Sequence, residues 1–131
     1  MKDVEIRLPD RPGALAEMAR ALGEAGISIE GGGAWVVDGR GVGHFLFADE
    51  APAAAVLRDC GIEVVAERQV AMLRLDQATP GQLGLACSRM AAAGVNLLAQ
   101  YSDHEHRLVL VADDVAAARS VAEAWTFAGV R

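Results

Sequence analysis

Two short stretches carry residue types that can grip a small charged molecule. One is "DRPGAL", residues 10–15, and the other is "TPGQL", residues 79–83. Each puts Pro-Gly at the mouth of an apolar helical pattern. A helix start leaves backbone N–H groups without intrahelical partners and carries a partial positive charge. Such a place binds anions, a carboxylate among them. Pro12 and Pro80 suit the first helical position, which needs no amide hydrogen. Gly13 and Gly81 then leave no side chain in the way at the second. Thr79 with Gln82 three residues later forms a capping-box pattern, whereas Arg11 and Ala14, in the matching places, cannot. Asp10 either bends back to cap the first helix or stays free to pair with a positive group. The first mouth is therefore the more open one. A ligand with both a carboxylate and an ammonium, an amino acid, would meet helix amides and Asp10 together.

Other candidate chemistry is thinner. "GRGVG", residues 39–43, lacks the helix that must follow a dinucleotide fingerprint, so it reads as a hairpin turn. "EGGGAW", residues 30–35, puts three glycines in a strand, which signals a bulge or a close approach by ligand or backbone. Trp35 then walls a pocket or sits in the core. His104 and His106 could flank a metal, but "SDHEHR" reads as a solvated hairpin tip. His44, in an apolar strand, reads as a packed histidine. Asp113 and Asp114 look like a capping pair. No Cys-x-x-Cys and no Ser-His-Asp grouping appears, and no cofactor is implied.

These residues must be held by a repeated set of elements. Val4, Ile6 and Leu8 alternate with Glu5 and Arg7, which predicts a half-buried strand. A helix follows with Leu15, Met18, Leu22 and Ala25 on one stripe, and Gly26 closes it. Ile27 and Ile29 open a second strand, interrupted by the glycines and continued over residues 35–37. Asp38-Gly39 turns the chain into a third strand over residues 42–47. Residues 51–60 read as a helix with Val56 and Leu57 inward, and residues 62–67 as a fourth strand. The series restarts with a strand at 70–75, a helix at 80–93 and a hairpin from 95–101 and 107–112. Asp113 or Asp114 caps a last helix that runs to about residue 127. Pro12, Gly13, Leu15 and Gly26 match Pro80, Gly81, Leu83 and Gly94 at one offset of 68 residues. By the same offset, Gly129-Val130-Arg131 stand where Gly61-Ile62-Glu63 stood, so the second unit stops as its last strand would begin.

The expected fold class is α+β. Two ferredoxin-like βαββαβ units lie in tandem, residues 1–68 and 69–131, with antiparallel sheets and helices on one face. The second unit lacks most of its last strand. A unit of this size is marginal alone, so the halves are expected to pack on each other and the chain to form a homodimer.

The 131 residues carry a net charge of −6, and eleven arginines and one lysine are scattered along them. That balance argues against a nucleic-acid partner. No apolar run reaches the length of a membrane span. The first residues already read as a strand, so no signal peptide is expected. Cys60 and Cys87 are isolated and read as small buried apolar residues in a cytoplasmic protein.

The segment "LPDRPGALAEMARALGEAGISIE" resembles the opening of an ACT domain, a small-molecule-binding regulatory module. Asp10, Pro12, Gly13 and Leu15 match that family's Asp-x-Pro-Gly-x-Leu pattern. Gly26, Ile27 and Ile29 match the step into its second strand. Pro80, Gly81, Leu83, Gly94, Val95, Asn96 and Leu97 repeat the likeness. As two tandem units, the chain is similar to short stand-alone bacterial ACT repeats without a catalytic domain. The resemblance implies an amino acid bound at the junction of ACT units. Carried over by position, it implicates Asp10, Arg11, Gly13, Ala14, Leu15, Ser28 and Ile29. In the second half it implicates Ala78, Thr79, Gly81, Gln82, Asn96 and Leu97. Ser28 shortens the reach at the place where Asn96 stands in the second unit, and the second loop is one residue longer. Two equivalent sites are not expected.

The expected function is thus an amino-acid-binding regulatory protein, not an enzyme, that signals through how units or partners, such as a regulated enzyme, pack. Its rivals are an interaction module with no ligand and a small ferredoxin-like enzyme.

Overall fold

The computed structural model describes residues 1–127. The chain divides into two compact units, Met1–Arg68 and Gln69–Arg131, and each follows the α+β plan. In the first, the order is β1 (Lys2–Pro9), α1 (Ala14–Glu24), β2 (Gly31–Val37), β3 (Arg40–Phe47), α2 (Ala53–Asp59) and β4 (Glu63–Gln69). Its four-stranded sheet runs β2-β3-β1-β4. In the second, the order is β5 (Ala71–Arg74), α3 (Gln82–Ala92), β6 (Leu97–Ser102), β7 (Arg107–Ala112) and α4 (Val115–Phe127). Its three-stranded sheet runs β5-β7-β6. The expected start of a fourth strand at residues 129–131 lies outside the described residues.

The alternation in β1 sorts its side chains as expected. Val4, Ile6 and Leu8 are buried in one cluster with Met18 and Leu22 of α1 and Leu57 of α2. In the second unit, Leu73, Met90, Leu110 and Trp125 are buried in a cluster of their own. The Trp125 indole N–H also donates to the Arg74 carbonyl at 2.9 Å. Arg89 of α3 stands 4.9 Å over the same ring, a cation–π contact. Among the described residues, no helix is long and apolar enough to cross a membrane.

The hairpin turn at Asp38-Gly39 has positive φ at both residues, 50° and 74°. That is the backbone of a tight turn whose twist matches the strands. Beyond it the pairing of β2 with β3 runs unbroken from Val37↔Arg40 to Gly31↔Leu46. The glycines therefore belong to the strand and do not interrupt it, and residues 27–30 precede it as irregular chain. Of the two readings of the glycine run, close backbone approach holds. A Cβ on Gly32 would stand 2.2 Å from the His44 carbonyl oxygen and 2.8 Å from Phe45 Cα, and its φ of 128° suits glycine alone.

Four other expectations need correction. Helix α1 begins at Ala14, because Gly13 has φ 89° and caps it from the left-handed region. Gly81, at φ 90°, does the same for α3. Pro12 and Pro80 thus precede the helices and do not open them. The buried stripe of α1 is Ala14, Met18 and Leu22, spaced four residues apart. Leu15 is 50% exposed, and Ala25 faces solvent. Thr79, two residues before the true cap, is out of reach of the α3 amides. The capping box does not form, and no side chain caps that helix. Finally, Cys60 is exposed, because it follows the last residue of α2, where the chain turns away at Gly61 with φ 79°.

The acidic pair at the last helix divides its work. Asp114 Oδ1 accepts from the Ala117 amide at 3.0 Å and caps α4. Asp113 Oδ1 accepts instead from the Asn96 amide at 2.9 Å, which ties β6 to the end of β7. At the tip between β6 and β7, His104 and His106 are exposed, and Asp103 organises the turn. Asp103 accepts from the Glu105 amide at 2.9 Å, the Arg107 amide at 2.8 Å and Arg107 Nε at 2.7 Å. Burial pushes the Asp103 carboxyl up, but these bonds outweigh it and hold it below 3.8. A depressed folded value gives stability that is present above the unfolded pKa and lost as pH falls through the folded one. Asp103→Asn should therefore destabilise the protein more at neutral pH than in acid below the folded value. Urea unfolding at both pH values checks this, and an equal loss at both would contradict it.

Candidate functional site

The first Pro-Gly mouth opens on a cleft of about 220 Å³ inside the first unit. That is below the roughly 300–1,000 Å³ of pockets for drug-sized ligands, and suits a small metabolite. The end of β1 supplies Pro9, the β1–α1 loop Asp10 and Arg11, and the first turn of α1 Ala14 and Leu15. Leu8 of β1, with Ala34, Trp35, Val36 and Gly41 of the hairpin, completes the lining. Gly41 lets the hairpin come close, since a Cβ there would stand 2.9 Å from the Leu8 carbonyl oxygen.

The polar groups differ in their commitments. Asp10 is exposed. It does not cap α1, and no side chain does. Of its two readings the free one holds, for Asp10 makes no hydrogen bond or ion pair among the described residues. The Ala14 amide reaches the Arg11 carbonyl at 3.4 Å, and the Glu17 amide reaches the Gly13 carbonyl at 2.9 Å. The Leu15 and Ala16 amides between them are donors that no side chain claims. Arg11 forks onto Glu17, with Nη1–Oε1 at 3.2 Å and Nη2–Oε2 at 2.8 Å. That pair holds the Glu17 carboxyl below its ordinary value. The mouth therefore offers backbone N–H groups and an unpaired carboxylate, side by side with apolar walls.

Trp35 is not core, and its side chain stands with Val42 and Arg7 on the sheet face away from α1. It is 50% exposed. Its ring folds back over Gly33, where a Cβ would stand 3.3 Å from two ring atoms.

Of the residues singled out from sequence, Asp10, Arg11, Ala14 and Leu15 meet at this cleft, and Gly13 caps the helix among them. Ser28 is exposed, and Ile29 packs against the core of the unit. Neither lines the cleft.

The second mouth is built differently. Asp76 Oδ1 accepts from the Ala78 amide at 3.0 Å, and Asp76 Oδ2 accepts from the Thr79 hydroxyl. The Thr79 hydroxyl foremost, then the Ala78 amide, holds the Asp76 carboxyl below its usual value. The extra residue of this loop thus lets it bond to itself. Gln82 Oε1 is buried without a hydrogen-bond partner among the described residues. Asn96 exchanges backbone hydrogen bonds with Asp113, giving to its carboxylate and accepting from its amide at 3.0 Å. Leu97 packs against the core of the second unit.

Leu8, Pro9, Ala34, Val36 and Gly41 of the cleft, and Asp76 of the second loop, were not singled out as site residues from sequence. Ala34 and Val36 carried no signal, because their place depends on the hairpin folding beside α1. Asp76 did carry one: an Asp shortly before a Thr is an Asx-turn pattern. His44 is the packed histidine expected, buried with Nδ1 2.8 Å from Asp3 Oδ2. Among the described residues, no group of three or more His, Cys, Asp or Glu side chains is placed to hold a metal ion.

The cleft and the loop that forms it fall within one matched segment. Residues 2–59 match the family model of the ACT domain. No curated protein matches the sequence significantly. Among solved structures, the chain is similar to protein BT0572 from Bacteroides thetaiotaomicron. The identity is 20% over 98% of this chain and 88% of that one, with a TM-score of 0.77. It is also similar to the regulatory subunit of aspartate kinase from Thermus thermophilus. There the identity is 22% over 94% of this chain and 91% of that one, with a TM-score of 0.70. These likenesses show the fold alone, and they extend over both α+β units. The matched ACT segment itself contains Asp10, the Gly13 cap, Leu15 and Trp35.

Proposed function

We propose that the protein is a regulatory binder of a free amino acid, held in the cleft at the tip of α1. The observation that carries this reading is the unpaired Asp10 carboxylate beside uncapped helix amides in one small cleft. A zwitterion matches both at once, with its ammonium on Asp10 and its carboxylate on the Leu15 and Ala16 amides. The ACT match and the likeness to an aspartate kinase regulatory subunit support a role in regulation. The protein then acts by binding and not by turnover. Its output is a difference in how the liganded and free forms engage a second copy or a regulated enzyme, which requires unequal ligand affinity for two states.

The test is thermal unfolding against each of the twenty common amino acids. A ligand at a hundred times its dissociation constant should add about 2.7 kcal/mol. Asp10→Asn should abolish the shift and leave the unliganded midpoint in place, because Asp10 is exposed and bonds to nothing that holds the fold. The reading fails if no amino acid moves the midpoint, or if the variant responds like the parent.

A further inference from the structure

A second cleft, of about 240 Å³, lies at the C-terminal end of β1, between the β2–β3 turn and the start of β4. Arg7, Pro9, Gly39, Arg40, Gly61 and Glu63 line it. We infer that it binds the carboxylate of a small organic acid with an apolar body, gripped by Arg7 and Arg40. This inference does not rest on the amino-acid reading of the first cleft. The strand register sets Arg7, Val42 and Trp35 in one row across β1, β3 and β2, and Pro9, Arg40 and Val37 in the next. Residues paired across strands share a face, and Val4, Ile6 and Leu8 take the face under the helices. Both rows therefore stand on the opposite face, away from α1.

The charges on that face do not cancel. Glu5 Oε1 accepts from Arg68 Nη1 at 2.8 Å, and Glu5 Oε2 meets Arg7 Nη2 at 2.8 Å. Burial pushes the Glu5 carboxyl up, but the bonds from Arg68 and Arg7 outweigh it and hold it below its ordinary value. One negative charge is thus divided between two guanidiniums. Arg40 reaches across β1 to a single Glu63 oxygen at 3.4 Å, and the two side chains are 65% and 61% exposed. An exposed pair of that kind is weak and exchanges readily. Three guanidiniums in this group face two carboxylates, a local positive surplus in a chain whose net charge is −6. A carboxylate monoanion matches that surplus and fits the guanidinium fork. Gly39 and Gly61 leave the mouth clear, since a Cβ at either would meet nothing within 4 Å. Val37, beside Arg40 in the same row, is 52% exposed and offers the apolar body a surface.

Calorimetric titration of the full chain with benzoate, acetate and inorganic phosphate at constant ionic strength tests this. Benzoate should bind roughly three- to tenfold tighter than acetate, because only part of its ring is covered. Phosphate should bind more weakly than benzoate, because its second charge finds no partner. Arg40→Gln should weaken benzoate roughly tenfold, as the loss of a charged hydrogen-bond donor does. Glu63→Gln, which frees Arg40, should tighten benzoate about threefold, the scale of an exposed ion pair. Val37→Ser should bring benzoate down towards acetate and leave acetate unchanged. Arg20→Gln, an exposed cation on α1 outside this cleft, should change nothing. All four variants should keep the parent's unfolding midpoint to within a few degrees, because none of these positions is in the core cluster. The inference is overturned if benzoate gives no saturable heat or if phosphate binds tighter than benzoate. It is equally overturned if Arg40→Gln binds like the parent or Glu63→Gln weakens binding. None of these results bears on the first cleft, whose own test is the midpoint shift with amino acids.

Discussion

Gly32→Val should cost about 4 kcal/mol or more and leave the first unit largely unfolded at ordinary temperature. Two independent effects add at this one position. The backbone has φ 128°, which a β-branched residue cannot adopt without strain. The new Cβ would also stand 2.2 Å from the His44 carbonyl oxygen, a backbone atom that cannot swing aside. Relief requires β2 to leave β3, which gives up the ladder between Val37↔Arg40 and Gly31↔Leu46. Since β2 carries Ala34 and Val36 of the cleft, ligand binding should be lost with the strand. Urea unfolding followed by circular dichroism measures the loss. A variant that unfolds within about 0.5 kcal/mol of the parent, the range of an ordinary surface change, would contradict the close approach.

Trp125→Ala should cost about 3–5 kcal/mol in the second unit. Trp125 is fully buried among Leu73, Met90 and Leu110. Its removal empties the largest fully buried side chain, orphans the Arg74 carbonyl and strips Arg89 of its aromatic partner. Trp125→Phe separates these effects. It keeps most of the buried surface but not the N–H, so it should cost about 1–3 kcal/mol, the range for an unsatisfied buried acceptor. If the Ala and Phe variants are equally stable, filling that volume is not what holds α4 in place.

Much of the fold was legible from sequence, and for physical reasons. Val4, Ile6 and Leu8 alternate because one face of β1 is buried under helices. Asp38-Gly39 marked its hairpin because few other pairs accept two positive φ values. The repeat at one offset made the second unit readable from the first. What was not legible is set by contacts between distant parts of the chain or by single backbone angles. Glycine disfavours strands on local grounds, so residues 31–33 read as an interruption until His44 and Phe45 are seen against them. A Pro-Gly pair fits either the first two helical positions or the residues just outside. Only the φ of Gly13 decides, and it leaves Pro12 outside the helix.

The candidate site was legible in its chemistry more than in its shape. Asp10, Arg11, Ala14 and Leu15 were named by position and share a cleft. Sequence left open whether Asp10 was bonded to its own helix and whether Trp35 was core. It also gave the second loop a capping box, where Thr79 turns instead to Asp76. The self-bonded loop and the open one explain in physical terms why the two mouths are not equivalent.

The most direct test of the account is a crystal structure of the chain grown with a saturating amount of the amino acid that raises the unfolding midpoint most. The amino acid should lie in the cleft between Asp10 and the hairpin residues Ala34 and Val36. Its ammonium should be within hydrogen-bond distance of the Asp10 carboxylate, and its carboxylate should face the Leu15 and Ala16 amides. That amino acid bound elsewhere on the chain, or a cleft left empty at saturation, would contradict the account.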